Sequence, residues 1–218
     1  LGLVLPTASY QMPARGNGSQ EKVVRYWTAQ VVGGRGRLRH EVDAVRWVPP
    51  DKARRLLTYA RDADQLDALV DAHASGALLS WPLIMLRHAK ARPRRSWSKN
   101  DWLRPLDSRG QAQSQDLVPV LTAYGIHRLV TSSSTRCVHT LAPYAKSTGL
   151  KLRPSEWLSE EGYEERPDLA ADTLTALLER GEPAVLCSHG PVLPPLLQEL
   201  IARSEGAEAS TLEQACEK

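Results

Sequence analysis

The sequence predicts an α/β protein: a doubly wound, largely parallel sheet, preceded by a smaller and incomplete α+β unit. Three observations lead there. From residue 81 onward, short apolar runs of strand length alternate with stretches of helical period, the pattern of strand–helix–strand units. Before residue 77 the chain is instead rich in β-branched and aromatic runs broken by Gly-containing loops. Several of the later strands end on histidine, arginine or serine, the residue types that carry chemistry at the carboxyl edge of a parallel sheet.

In chain order, "LGLVLPTASYQM" and "VVRYWTAQVV" read as two strands joined by the polar loop "PARGNGSQ". "GGRGRLRH" reads as a second loop. "EVDAVRWVPP" alternates Val42, Ala44 and Arg46 against Asp43, Val45 and Trp47, which predicts a third strand ended by a proline pair. A helix is expected from about Asp51, with Ala53, Leu56, Leu57 and Ala60 on one face, continued by Leu66, Leu69, Val70 and His73 after "RDAD". "HASGALLS" reads as a linker, so residues 1–76 and 77–218 are expected to be separate domains.

The second part opens with the strand "PLIML". A helix is expected near Asp107, carrying Leu117, Val120, Leu121 and Tyr124 on one stripe, with a kink at Pro119. "HRLVTSS" reads as strand, "TRCVHTLAPYAKSTG" as helix, and "LKLRPSEWLS" as a strand running into a loop. "DLAADTLTALLERG" reads as a helix stopped by Gly181. "PAVLCSH" is the last strand, and "PVLPPLLQELIAR" is a helix with Leu193, Leu196, Leu197, Leu200 and Ile201 on one face.

Composition excludes several classes. The chain has 218 residues, 42% of them apolar, enough for a substantial core. Net charge is +3, so the basic run at 87–104 is a local feature and specific nucleic-acid binding is not expected. Three cysteines, Cys137, Cys187 and Cys216, show no zinc-knuckle spacing and suit a reducing cytoplasm. No apolar run approaches the roughly 18 residues of a membrane span. The chain starts on "LGLVL" and ends on "STLEQACEK", which reads as a fragment of a longer protein.

If the later strands are parallel, their carboxyl ends bring together Arg87-His88, Ser132-Ser133 with Arg136, Glu160-Glu161, and His189-Gly190. Two histidines, two arginines and a carboxylate suit a phosphoryl group. Guanidinium forks match its tetrahedral oxygens. A neutral imidazole can attack phosphorus, and a carboxylic acid can protonate the leaving group.

These segments resemble a known family. "LRHAKA", "RPLDSRGQAQ", "SSSTRCVHT", "LSEE" and "LCSHGPVL" occur in the order of the motifs of the histidine phosphatase (phosphoglycerate mutase-like) superfamily, in its SixA-type branch. Ala89 stands where most of that superfamily has glycine. The resemblance covers residues 81–201 and implies the histidine phosphatase fold. It makes His88 the nucleophile, Arg87, Arg136 and His189 the holders of the phosphoryl oxygens, and Glu160 or its neighbour Glu161 the general acid. Arg94 or Arg95 would add a contact, with Arg94 carried forward, and Thr140 would orient the site or pack. It implies no cofactor. "LRH" also occurs at Leu38–His40, in a loop with no sign of a site; His40, His73, His127 and His139 read as structural or solvent-facing.

"EVDAVRWVPPDKARRLL" resembles the C-terminal end of a Nudix hydrolase. The Nudix box, G-x5-E-x7-R-E-x-x-E-E, does not occur in the sequence and would lie before Leu1; Mg²⁺ is expected only at that missing site. The two resemblances imply a Nudix–phosphatase fusion acting on a small phosphorylated substrate, a nucleotide such as an oxidised nucleoside phosphate. A signalling phosphohistidine protein phosphatase and a non-catalytic phosphate-binding module are the alternatives. The basic run 90–104 reads as a funnel for an anionic substrate.

Overall fold

A computed structural model of the chain describes residues 1–13, 18–33 and 42–204. The second "LRH" at 38–40 and Cys216 lie outside the described residues. The chain divides into two compact units, Leu1–Ser80 and Trp81–Lys218.

In the first unit, strands β1 (Val4–Pro13) and β2 (Ser19–Trp27) form an antiparallel pair, with Val4 opposite Trp27 and Pro13 opposite Ser19. Leu5 and Ala8 are its buried positions, and helix α2 (Ala60–Ala74) packs against β1. The Arg61 guanidinium lies over the rings of Tyr10 and Tyr59, 4.1 and 4.2 Å from their centroids.

Two expectations fail in this unit. Residues 42–49 form no strand, and Trp47 is 84% exposed. Alternating apolar residues favour extended backbone, but a strand also needs an edge to pair with, and Pro49 and Pro50 contribute no N–H to a ladder. The single helix expected from Asp51 is two helices, α1 (Pro50–Leu56) and α2. Leu57 and Tyr59 are extended between them. Thr58 and Tyr59 are weak helix formers, which places the break there, and "RDAD" becomes the first turn of α2 rather than an interruption.

The second unit is the predicted doubly wound sheet. Strands β3 (Leu83–Arg87), β4 (Arg128–Ser132), β5 (Leu152–Ser155) and β6 (Ala184–Ser188) lie in the order β3-β6-β4-β5, all parallel. All five residues of β6 are buried. Its alternation feeds two cores: Val185 and Cys187 join Leu121, Leu129 and Leu141 on one face, while Ala184 and Leu186 join Leu158, Leu174 and Leu196 on the other. Helices α3 (Ser108–Ala123) and α4 (Thr135–Thr148) cover the first face; α6 (Pro167–Arg180) and α7 (Leu193–Arg203) cover the second.

Local chemistry sets the element ends. Asp107 caps α3 by accepting from the Gly110 N–H at 2.8 Å. Gly110 lies so close to the backbone that a Cβ there would meet the Lys90 carbonyl oxygen at 2.0 Å, and this contact seats the helix beside the end of β3. Pro119 does not end α3, which runs through it to Ala123. Gly181 stops α6 with a left-handed φ of 61°. One short helix was not expected: α5 (Glu160–Glu165), capped by the Ser159 hydroxyl, which accepts from Gly162 N at 2.9 Å.

Candidate active site

Because the four strands are parallel, their carboxyl ends share one edge of the sheet. The predicted residues meet there. His88 follows β3, and its N–H donates to the Ser188 carbonyl at 3.0 Å, continuing the ladder one residue past the strand. Arg136 lies in the first turn of α4, directly after β4. Glu160 opens α5, reached from β5 through a short turn at Glu156–Leu158. His189 follows β6.

The imidazole of His88 is held by its own backbone. Nδ1 donates to the Ala89 carbonyl at 2.7 Å; a carbonyl only accepts, so the proton sits on Nδ1 and Nε2 keeps its lone pair. The ring is partly buried. That burial, with His189, Arg136 and Arg87 nearby, lowers its pKa from 6.5 to about 4 against the opposing pull of the Ala89 bond. The ring is therefore neutral at pH 7. The Ala89 N–H donates to Thr140 Oγ1 at 2.9 Å, and that hydroxyl donates to the Arg136 carbonyl at 2.7 Å. Thr140 thus ties the His88 loop to the arginine helix.

Arg136 is 1% exposed. Its Nη1 donates to the Asp101 carbonyl at 2.9 Å and sits 3.1 Å from the Asp101 carboxylate; its Nη2 lies 3.4 Å from Glu160 Oε1. Glu160 also receives Arg94 Nη2 on Oε2 at 3.1 Å. Arg94, not Arg95, is the guanidinium at the site. Glu160 holds the central carboxylate, while Glu161 is exposed. Arg87 is exposed and lies against Gly190, where a Cβ would approach its Cζ to 3.3 Å. His189 is fully buried; its ring centroid is 5.2 Å from that of His88, edge to face.

Asp101 and Arg104 were not singled out from the sequence. Burial works against the Asp101 charge, but the Arg104 hydrogen bond at 2.7 Å and the guanidiniums of Arg136 and Arg94 hold its carboxyl below the usual range. The signal in the sequence was a single acid within a run of bases. Even so, four guanidiniums (Arg87, Arg94, Arg104, Arg136) outnumber two carboxylates, which leaves the site electropositive.

Among the described residues, two buried nitrogens of this cluster have no hydrogen-bond partner: Arg136 Nε, a donor, and His189 Nδ1, a donor when it carries the ring proton. An unpaired buried donor costs about 1–3 kcal/mol. Two of them beside a neutral imidazole suit an anion with several acceptor oxygens.

Next to His88 opens a cavity of about 980 Å³. One wall carries Lys90, Arg92 and Arg94; another carries Gln113, Leu117 and Val120 of α3. Of the basic run 90–104, Lys90, Arg92, Arg94 and Arg104 line this cavity, beside the acids Asp116 and Glu160. Lys99, Trp97 and Trp102 do not line the cavity, and the Trp97 indole N–H donates to the Asn100 carbonyl at 2.9 Å. His73, His127 and His139 are exposed. Among the described residues no group of three or more His, Cys, Asp or Glu side chains is placed to hold a metal ion, so they do not fit the Mg²⁺ of a Nudix centre.

Residues 83–177 match the family profile described as histidine phosphatase superfamily (branch 1). The matched stretch lies within the second unit. The matched profile, together with the phosphatase name of a curated relative, supports a hydrolase. That relative, the 8-oxo-(d)GTP phosphatase of Mycolicibacterium smegmatis, is 31% identical over 198 residues; the match takes in 91% of this chain and 59% of the relative. The chain is also similar to solved structures. The protein histidine phosphatase SixA complexed with tungstate is 24% identical, with a TM-score of 0.46, over 54% of this chain and 75% of that one. The α-ribazole phosphatase from Shigella flexneri is 16% identical, with a TM-score of 0.43, over 61% and 83%. Among the described residues no helix is long and apolar enough to cross a membrane.

Proposed function

We propose that this chain is a phosphomonoesterase that works through a phosphohistidine on His88 and acts on nucleotides. The observation that carries the reading is the state of His88: neutral, with Nδ1 committed to a backbone carbonyl and Nε2 free, beside unpaired donors of Arg136 and His189. The phosphoryl oxygens would be held by Arg136, Arg87 and His189. His88 Nε2 would form a bond to phosphorus as the bond to the leaving oxygen breaks, and Glu160 would deliver the proton that oxygen needs. Water would then cleave the N–P bond, with Glu160 now taking the proton, and inorganic phosphate would leave. The guanidiniums are already in place where negative charge builds, so little reorganisation is needed.

The nucleotide part of the proposal rests on the cavity and the relative. A basic wall at Lys90 and Arg92 suits further phosphate oxygens, and the α3 wall at Leu117 and Val120 suits a base or sugar. The relative's name, 8-oxo-(d)GTP phosphatase, points to the same class. For the whole protein we propose a Nudix–phosphatase fusion in the cytoplasm, on the resemblance of "EVDAVRWVPPDKARRLL" to the end of a Nudix domain.

The test is a comparison of kcat/KM across nucleoside mono-, di- and triphosphates, a generic aryl phosphate and a protein carrying phosphohistidine. Nucleotides are expected to exceed the aryl phosphate, because only they reach both walls of the cavity. Preference for the phosphohistidine protein would replace the nucleotide reading with the signalling one, and no turnover of any substrate would leave a binding module.

A further inference from the structure

His189 must do two things in the proposed reaction: stay in place without solvent, and offer a proton to a phosphoryl oxygen. Its two ring nitrogens face different surroundings. Nδ1 is buried, lies 3.4 Å from Glu160 Oε1 outside hydrogen-bond geometry, and has no partner among the described residues. Nε2 lies 3.0 Å from Ser132 Oγ and 3.4 Å from Cys137 Sγ.

The neighbours decide which nitrogen carries the proton. In the proposed reaction a bare lone pair on Nδ1 would repel the phosphoryl oxygens, whereas an Nδ1–H would donate to them. Nε2 is then the acceptor and needs a donor. The Cys137 thiol is shared between Nε2 at 3.4 Å and the Ser188 carbonyl at 3.7 Å, so Ser132 Oγ at 3.0 Å is the nearer partner of Nε2. Ser132 Oγ already accepts from the Ser134 N–H at 3.3 Å, which leaves its own proton for Nε2. The Ser134 hydroxyl is a second acceptor within reach of the Ser132 proton at 3.3 Å, but the 3.0 Å contact to Nε2 is the shorter. Ser132 is fully buried at the last position of β4, so water does not compete for the role.

We propose that Ser132 is a positioning residue for the phosphoryl site: its hydroxyl donates to His189 Nε2 and so fixes the ring tautomer that presents Nδ1–H to the phosphoryl oxygens. Ser132 touches neither the substrate nor His88 in this role. It acts through His189, as a second partner that sets ring tautomer and orientation. The inference rests on the phosphohistidine reading, but the two fail separately, because the protonation of the His189 ring can be read whether or not His88 becomes phosphorylated.

The test uses the chain labelled with ¹⁵N in its histidine rings, with the His189 signals assigned by their loss in His189→Gln. The wild-type ring is expected to carry its proton on Nδ1. Ser132→Ala is expected to lower the Nδ1–H population and reduce kcat on an aryl phosphate by about tenfold or more, with a smaller change in KM. Ser132→Thr restores a hydroxyl and should recover both. A proton on Nε2 in the wild type, whether as the other tautomer or as an imidazolium paired with a Cys137 thiolate, would overturn the proposal. So would a Ser132→Ala variant in which either the ring spectrum or kcat stays as in the wild type. If Ser132→Ala does not fold, the wild-type ring spectrum alone decides.

Discussion

His88 is a histidine made unlike free histidine by its setting. Partial burial and the positive charge of Arg136 and Arg87 disfavour the imidazolium, so its pKa falls to about 4. The sign of the consequence is definite. A group whose charged form is disfavoured in the folded state stays neutral down to the lower pKa, so the nucleophile remains competent as pH falls from 6.5 towards 4. The acid limb of kcat/KM is therefore expected near pH 4 rather than near 6.5; a limb at 6.5 would mean that the ring is not held as described. The same shift makes folding less favourable across that window, because the unfolded chain takes up a proton on His88 that the folded one does not. The meeting of His88, Arg136 and His189 at one sheet edge was legible in the sequence because each lies within a few residues of a strand end. Asp101 was not, since its pairing with Arg136 joins residues 35 apart through a turn whose placement depends on tertiary packing. Ser132 was visible as a strand end, but its hydroxyl is one of three in "SSS", and only the fold shows which one meets His189.

At the scale of elements, the segment after β3 divides into two parts with different work. Lys90, Arg92 and Arg94 line the cavity, whereas Lys99 is exposed and does not. Replacing Lys90 and Arg92 with Ala is expected to raise KM for a nucleotide several-fold while kcat changes little. The effect should shrink as salt rises, because exposed charges are screened over about 10 Å at 0.1 M. Lys99→Ala should leave the rates unchanged; an equal effect from Lys99 would show that the run acts as diffuse charge and not as a cavity wall. Sequence periodicity located β3, β4 and β6 because a parallel strand inside a sheet is apolar over a short span, whereas β5 (Leu-Arg-Pro-Ser) lies at the sheet edge and is only partly buried. It failed at residues 42–49, where alternation is present but no pairing edge receives it, and at Thr58-Tyr59, where one helical stripe hid a break. Helix α5 was missed because "SEEGYEE" has no apolar stripe; its cap at Ser159 and the close approach of Gly162 to Glu156 hold it instead.

At the scale of the molecule, the order β3-β6-β4-β5 puts the two histidine-bearing strands side by side, and β4 next to them brings in Arg136. That adjacency brings together His88 and His189, residues 101 positions apart in the chain, at the proposed phosphoryl site. The central claim is that His88 becomes covalently phosphorylated, and it can be measured directly. The chain is mixed with an aryl phosphate in the presence of chelator, quenched rapidly without acid, and the phosphate located by mass spectrometry. The account predicts phosphate on His88 alone, loss of both label and turnover in His88→Ala, and a slow enzyme that still labels in Arg136→Ala, reduced at least about tenfold for a lost charge-assisted fork. Phosphate on another residue, or full turnover by His88→Ala, would contradict it.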